Sequence, residues 1–314
     1  MERALQTDGS GCLRREGGAT VVQGCCEAGE GEQVPSPPVY RLELQYAGCG
    51  LHGWSSQPDL PTVRGAVEEA FRTVLGGVPR LVVAGRTDTG VHARRQVVSV
   101  HAPPEPTGTK VDKLFDPRAE SLPDTTSLLR SLNALTPPQV LLYAFEAAAP
   151  GFDARRQALS RRYRYFVSSQ EGVGPLLAEY VWRLPSLPDL DSLRRQAALL
   201  PGLHDFSAFT PTKSEHRHFG RVVRAARWER RGELVWFDIE AESFLRHMVR
   251  TLVGTMIEGS RRHAPESSFE RLLCGAPRSE AGVTAPARGL FFWDIRYPDA
   301  YSTDARPPLL ALPS

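Results

Sequence analysis

The chain of 314 residues predicts an α+β protein of two similar halves, with a largely antiparallel sheet, helices on one side and an active-site cleft between the halves. Three observations carry that expectation. Apolar residues recur with period two in several short segments and at helical spacing in others. Strand-like segments follow one another through tight turns with few long crossovers, which favours antiparallel pairing over a doubly wound parallel sheet. A hydrophobic content of 41% is enough to fill a sizeable core.

Residues 1–38 are acidic and rich in glycine, show no apolar periodicity and end in Pro35-Ser36-Pro37-Pro38, so a disordered tail is expected. A first half is expected over 39–150. It opens with "VYRLELQY", where Tyr40, Leu42, Leu44 and Tyr46 alternate with Arg41, Glu43 and Gln45, the pattern of a half-buried strand. After "AGCGLHGWSSQPDLP", Thr62 is placed to cap a helix carrying Val63, Ala66, Val67, Ala70, Phe71 and Val74, which Gly76-Gly77 ends. Strands follow at Leu81 to Ala84 and Gln96 to His101, separated by a turn. The polar, proline-containing stretch 103–127 reads as an inserted loop. A helix near Ser127 to Leu135 and a strand near Val140 to Phe145 complete this half.

A second half is expected over 151–300, with 301–314 as a short tail. It holds the strand "RRYRYFVSS", a helix around Asp191 to Leu200 and a hairpin turning at Arg231-Gly232. Helices from Phe244 to Ile257 and from Pro265 to Leu273 and the strand "LFFWDIRY" follow.

Charge is unevenly spread. The net value is +2, but residues 1–38 hold three Arg against six Asp or Glu, so the rest of the chain holds 35 basic against 30 acidic residues. Arg155, Arg156, Arg161, Arg162 and Arg164 fall within ten residues, a cluster that suits a polyanion or a solvated face. Five cysteines without repeated spacing argue against a disulfide framework and a zinc site. No apolar run approaches the roughly 18 residues of a membrane span, and no secretory leader is seen, so a cytoplasmic chain is expected.

The stretch "AGRTDTGVHARRQVVSV" sets Arg86, Asp88 and His92 in a glycine-flanked turn between apolar runs. Asp88-Thr89-Gly90 is good turn chemistry, and it is equally a rigid loop presenting a carboxylate. Arg86, two residues before Asp88, lies on the same side if the segment is extended and would then hold the carboxylate ionised, suited to a nucleophile or base. Asp-Thr-Gly is also the triplet of aspartic proteases. That chemistry needs a second such carboxylate, which the chain lacks, and an adjacent Arg opposes the raised pKa it requires.

The motif "AGRTDTGVHA" resembles the R-T-D-A-G-V-H motif of the tRNA pseudouridine synthase A (TruA) family. The likeness continues in order through "YAGCGLHGW", "FDARRQALSRRYRYFV", "GLHDFSAF", "ESFLRHMVR" and "ARGLFFWDIRYP", covering roughly Tyr40 to Pro298. The resemblance implies the pseudouridine synthase fold, with Asp88 as catalytic aspartate and Tyr163 as base-stacking tyrosine. It also implies Arg250 as the arginine paired with the aspartate, Leu290 as an apolar wall and Arg86 as a contact to the target nucleotide. It further implies uridine isomerisation at positions 38–40 of the tRNA anticodon stem-loop by a homodimer. Thr89 in place of Ala, Asp153 where His is frequent, the insert and the acidic tail depart from the family pattern.

The residues fit that chemistry independently. Isomerising uridine needs no redox agent or metal, so no cofactor is expected, and one carboxylate suffices. Alternation along "RRYRYFV" puts Tyr163 and Tyr165 on one face and Arg162 and Arg164 on the other. Arg155, Arg161, Arg162, Arg164 and Arg246 are candidate RNA-backbone contacts, and Arg246 and Arg250, four apart, would share a helical face. His92 is expected to hydrogen-bond, to stabilise the turn or to contact RNA rather than bind metal. A catalytically inactive RNA-binding protein of the same fold is the alternative.

Overall fold

The computed structural model describes residues 36–119, 124–213 and 217–308. Most of the expected 1–38 tail and the end of the 301–314 tail lie outside the described residues.

In chain order the elements are β1 (Tyr40–Tyr46), α1 (Val63–Leu75), β2 (Arg80–Val83), β3 (His92–His101), α2 (Lys110–Leu114), α3 (Thr125–Asn133) and β4 (Val140–Ala147). After these come β5 (Ser160–Ser169), β6 (Trp182–Leu184), α4 (Leu190–Ala198), β7 (Gly202–Asp205), β8 (Gly220–Arg231), β9 (Leu234–Ala241), α5 (Met248–Arg261), α6 (Glu266–Leu272) and β10 (Leu290–Arg296). The strands build a single sheet in the order β4-β1-β3-β10-β5-β9-β8-β7, with β2 paired to β3 and β6 to β5. Pairing is mostly antiparallel. The exceptions are short: Phe291 and Phe292 of β10 run parallel to His92 and Ala93, and three residues of β6 run parallel to β5.

Local chemistry explains most boundaries. The Thr62 hydroxyl accepts from the Gly65 N–H at the start of α1, and Gly76 ends it at φ 74°. The β8–β9 hairpin turns through Gly232, whose φ of 59° a side chain would resist, with Arg231 opposite Leu234.

The sheet has two unlike faces. On one, Tyr40, Leu42, Leu44 and Tyr46 of β1, Tyr163 and Tyr165 of β5 and Phe237 and Ile239 of β9 join buried residues of all six helices in one apolar core. The other face is aromatic and ionic. Glu43, fully buried, accepts from Arg41 Nε at 2.7 Å, Arg95 Nε at 2.9 Å and the Tyr143 hydroxyl at 2.9 Å. Asp238 accepts from Arg162 and Arg164, and the Arg164 guanidinium lies 4.1 Å from the Trp293 ring centroid. Here β1 is buried on both sides rather than half-buried, because Arg41 and Glu43 pair with each other.

Five elements differ from the sequence expectation: the short strands β6 and β7 have no counterpart in it, and three others have a clear physical reason. The expected 103–127 loop contains α2, anchored by buried Val111, Leu114 and Phe115 and by the Tyr40 hydroxyl donating to the Leu114 carbonyl at 3.0 Å. β3 begins four residues early, at His92, because Arg94 packs on Trp293 and Arg95 joins Glu43, so charged residues occupy an inner strand. α5 begins at Met248 rather than Phe244, since His247 has φ 60° and turns the chain before the helix; Arg246 therefore lies outside it and shares no helical face with Arg250.

Truncating Glu43 to Ala leaves the buried Arg41 guanidinium without a carboxylate and Arg95 with Asp294 alone, and is expected to cost about 3–5 kcal/mol. Urea unfolding of Glu43→Ala beside wild type checks this; a loss below about 1 kcal/mol, the range of an exposed pair, would show the layer to be solvated.

Candidate active site

The segment between β2 and β3, residues 84–91, is held mostly by backbone. Trp54 N–H donates to the Thr87 carbonyl at 3.1 Å, Gly90 N–H to the Leu51 carbonyl at 3.2 Å, and Val91 N–H closes the turn on the Asp88 carbonyl at 3.1 Å. Two glycines of "YAGCGLHGW" permit this contact: a Cβ on Gly53, at φ 83°, would lie 2.6 Å from the Thr87 carbonyl oxygen, and one on Gly48 would collide with the Val91 carbonyl. The Tyr46 hydroxyl, 2.8 Å from Thr87 Oγ1, and Gln96, donating to the Gly85 carbonyl at 2.8 Å, fix the loop from the core side.

Arg161 staples this loop to its neighbours. Its guanidinium donates to the carbonyls of Ala84 (3.1 Å), Arg155 (2.6 Å), Ala158 (3.2 Å) and Glu242 (2.7 Å). Those carbonyls precede, in turn, the Asp88 loop, β5 and the segment entering α5. The expected phosphate contact at Arg161 thus gives way to an internal role, as the guanidinium is committed to backbone acceptors. Arg162 and Arg164 likewise pair with Asp238 on the opposite face of β5 from Tyr163. Arg155 and Arg246 are exposed, with no side-chain hydrogen bond or ion pair among the described residues.

Asp88 stands about one-third exposed at the end of α5. His247 Nε2 lies 3.5 Å and Arg250 Nη1 3.8 Å from its Oδ2. Arg250 is aimed by its Nε, which donates to the Ala285 carbonyl at 2.8 Å, while Ala285 N–H donates back to the Arg250 carbonyl at 3.1 Å. Gly254, one turn on, lets the 283–285 segment pass where a Cβ would collide with the Val283 carbonyl. Burial lowers the Arg250 pKa against the opposing pull of Asp88, yet a guanidinium stays charged. Among the described residues no ion pair joins Arg86 to Asp88: the segment turns rather than extends, with Gly90 at φ 76°, and Arg86 is exposed.

Tyr163, 9% exposed, is held edge-on between Phe244 (4.8 Å) and Phe292 (5.1 Å). Burial first and the Asp88 charge second raise its hydroxyl pKa, which puts ring and carboxylate in one electrostatic neighbourhood. Leu290 is buried opposite Tyr165 at the start of β10.

His92 is fully buried and out of reach of RNA. Nδ1 accepts from Gly48 N–H at 3.0 Å, so Nε2 carries the proton and donates to the Arg288 carbonyl at 3.0 Å; the ring stacks on Phe291. Of its expected roles, hydrogen bonding that ties the turn down is the one the geometry supplies.

A family model described as tRNA pseudouridine synthase matches residues 197–298. A tRNA pseudouridine synthase A of Moorella thermoacetica is 36% identical over 83% of this chain and all of its own length. Proteins of the same name from Mycobacterium leprae (39% identical, 82% of this chain, 89% of the relative) and Myxococcus xanthus (34%, 83% and 93%) match as broadly. The chain belongs to the tRNA pseudouridine synthase A family. Membership bears out the resemblance read from "AGRTDTGVHA" and the motifs after it, and the mixed α+β fold with one large sheet is the fold expected. Among the described residues no helix is long and apolar enough to cross a membrane. One site residue, His247, escapes the sequence reading, although it lies three positions before Arg250 in "ESFLRHMVR".

Burial lowers the His92 pKa to about 4, against two hydrogen bonds that raise it. The folded-state value is depressed, so the unfolded chain binds more protons between about pH 4 and 6.5 and stability falls as pH drops through that window. A loss of about 2 kcal/mol between pH 7 and 5 is expected from this group. Urea titrations at both pH values, on wild type and His92→Gln, should show the loss shrinking in the variant; equal losses would assign the acid sensitivity elsewhere.

Proposed function

We propose that this chain is a tRNA pseudouridine synthase, an isomerase that converts uridine to pseudouridine at positions 38–40 of the anticodon stem-loop. The observation that carries the reading is a partly exposed carboxylate with an arginine guanidinium 3.8 Å from it, its charge also felt by the buried Tyr163 hydroxyl. These groups come from the 84–91 loop, α5 and β5, and so from both proposed halves, 39–150 and 151–300.

The reaction breaks the C1′–N1 bond, turns the uracil and rejoins it through C5; C5 then loses a proton and N1 gains one, so nothing is oxidised or reduced. A carboxylate starts it by attacking C1′, by adding to C6 or by taking the 2′ proton, and each route begins from ionised Asp88. The target base has to leave its stack and be kept from water while detached; Tyr163 offers the aromatic face and Leu290 the apolar wall. Arg86, Arg155 and Arg246, exposed and without internal partners among the described residues, suit phosphates of the tRNA. A cytoplasmic homodimer in which one tRNA touches both subunits completes the reading, on family resemblance.

Pseudouridine mapping at single-nucleotide resolution on unmodified tRNA transcripts, without added metal or cofactor, tests it. Modification confined to positions 38–40 is expected. Tight binding with every uridine intact would make the chain a silent RNA binder.

A further inference from the structure

His247 has no part in the steps above, yet it is built into the site. Its backbone is left-handed, at φ 60° and ψ 0°, which among side-chain-bearing residues Asn, Asp and His tolerate best. It occupies the cap position of α5 without a side-chain capping bond, where Ser, Thr, Asp or Asn is the usual choice. What the imidazole reaches instead is Asp88: Nε2 lies 3.5 Å from Oδ2, the same oxygen Arg250 approaches at 3.8 Å. No hydrogen bond or ion pair from the described residues reaches the other oxygen, Oδ1.

We propose that His247 is a positioning residue for Asp88: with Arg250 it holds Oδ2, so that Oδ1 is the oxygen presented to the uridine. This rests on the reading of Asp88 as the reacting carboxylate. The residue type follows from the constraints. Glycine would fit the backbone but hold nothing, an Asp would repel Asp88, and a second fixed cation would draw the carboxylate into a full ion pair. An imidazole that stays neutral lies against Oδ2 with an N–H it can turn to that oxygen, without adding charge. The groups facing it set that state: burial lowers its pKa most, Asp88 raises it, and Arg250 and Arg246 beside it and Arg278 from the 278–280 turn lower it. The positive end of α5 acts in the same direction as the arginines. In acid the imidazolium claims the carboxylate, and turnover falls.

Single-turnover rates and tRNA affinity from pH 5 to 8, with thermal stability, are measured for wild type, His247→Ala, His247→Gly and His247→Asn. Ala and Gly variants are expected to react on the order of ten- to a hundredfold slower with affinity unchanged. Asn, which keeps an N–H donor and tolerates the backbone, restores most of the rate and removes the fall in acid that wild type shows. His247→Gly should be at least as stable as wild type, because glycine relieves the left-handed backbone. The proposal is overturned if the variants match wild type at every pH, or if their rates fall only as far as their folded fraction does and Asn rescues nothing. A wild type that leaves all uridines intact would instead remove the functional reading beneath it.

Discussion

The last strand of the chain is laid into the middle of the sheet, and the site depends on that placement. β10 pairs with β3 on one side and with β5 on the other, so it joins strands from the first 150 residues to those that follow. Without it, the Asp88 loop entering β3 and the Tyr163 position on β5 would belong to separate sheets. Its residues serve both faces. Phe292 packs edge-on against Tyr163 and comes so close to Gly85 that a Cβ there would lie 2.8 Å from its ring. Phe291 and Trp293, on the other face, stack against His92 and receive the Arg164 guanidinium. One strand therefore supports the Tyr163 ring, the Asp88 loop and the buried ionic layer.

The Asp88 loop and the segments around it are fixed largely by backbone. Gly48 and Gly53 let one loop lie directly on the Asp88 loop, Gly254 lets another pass against α5, and Arg161 ties four carbonyls from three segments to a single guanidinium. Such contacts leave little freedom for the carboxylate to drift, which is what preorganised electrostatics requires. The cost is a set of buried polar groups, each matched: Glu43 with Arg41 and Arg95, Asp238 with Arg162 and Arg164, His92 with two backbone partners.

Where a local rule decided the structure, the sequence was legible. The Thr62 cap, the Gly76 stop and the apolar spacing between them define α1, and Gly232 defines the hairpin. Where a distant partner decided it, local pattern misled. Arg94 and Arg95 look like loop residues until Trp293 and Glu43 are beside them. Val111, Leu114 and Phe115 make too short an apolar run to announce α2 without Tyr40 above it. The arginines of "RRYRY" read as phosphate ligands because their carbonyl and carboxylate acceptors, Ala84, Glu242 and Asp238, lie some 75 to 80 residues away. Asp88 is legible as a carboxylate in a glycine-flanked turn, whereas Arg250 and Tyr163 as its companions rest on motif likeness; spacing alone gives no reason for the three to meet. His247 is not legible in the sequence, because a left-handed histidine before a helix leaves no periodic signature.

The central claim is that the Asp88 carboxylate, held at the end of α5, carries the reaction. The most direct test is release of tritium from tRNA labelled at uracil C5, followed for wild type and Asp88→Asn with tRNA binding measured in parallel. Asparagine keeps the size of the side chain and removes its charge. Release by wild type alone, with both proteins binding tRNA alike, is the result expected. Release by Asp88→Asn at a comparable rate would place the chemistry on another group and contradict the account.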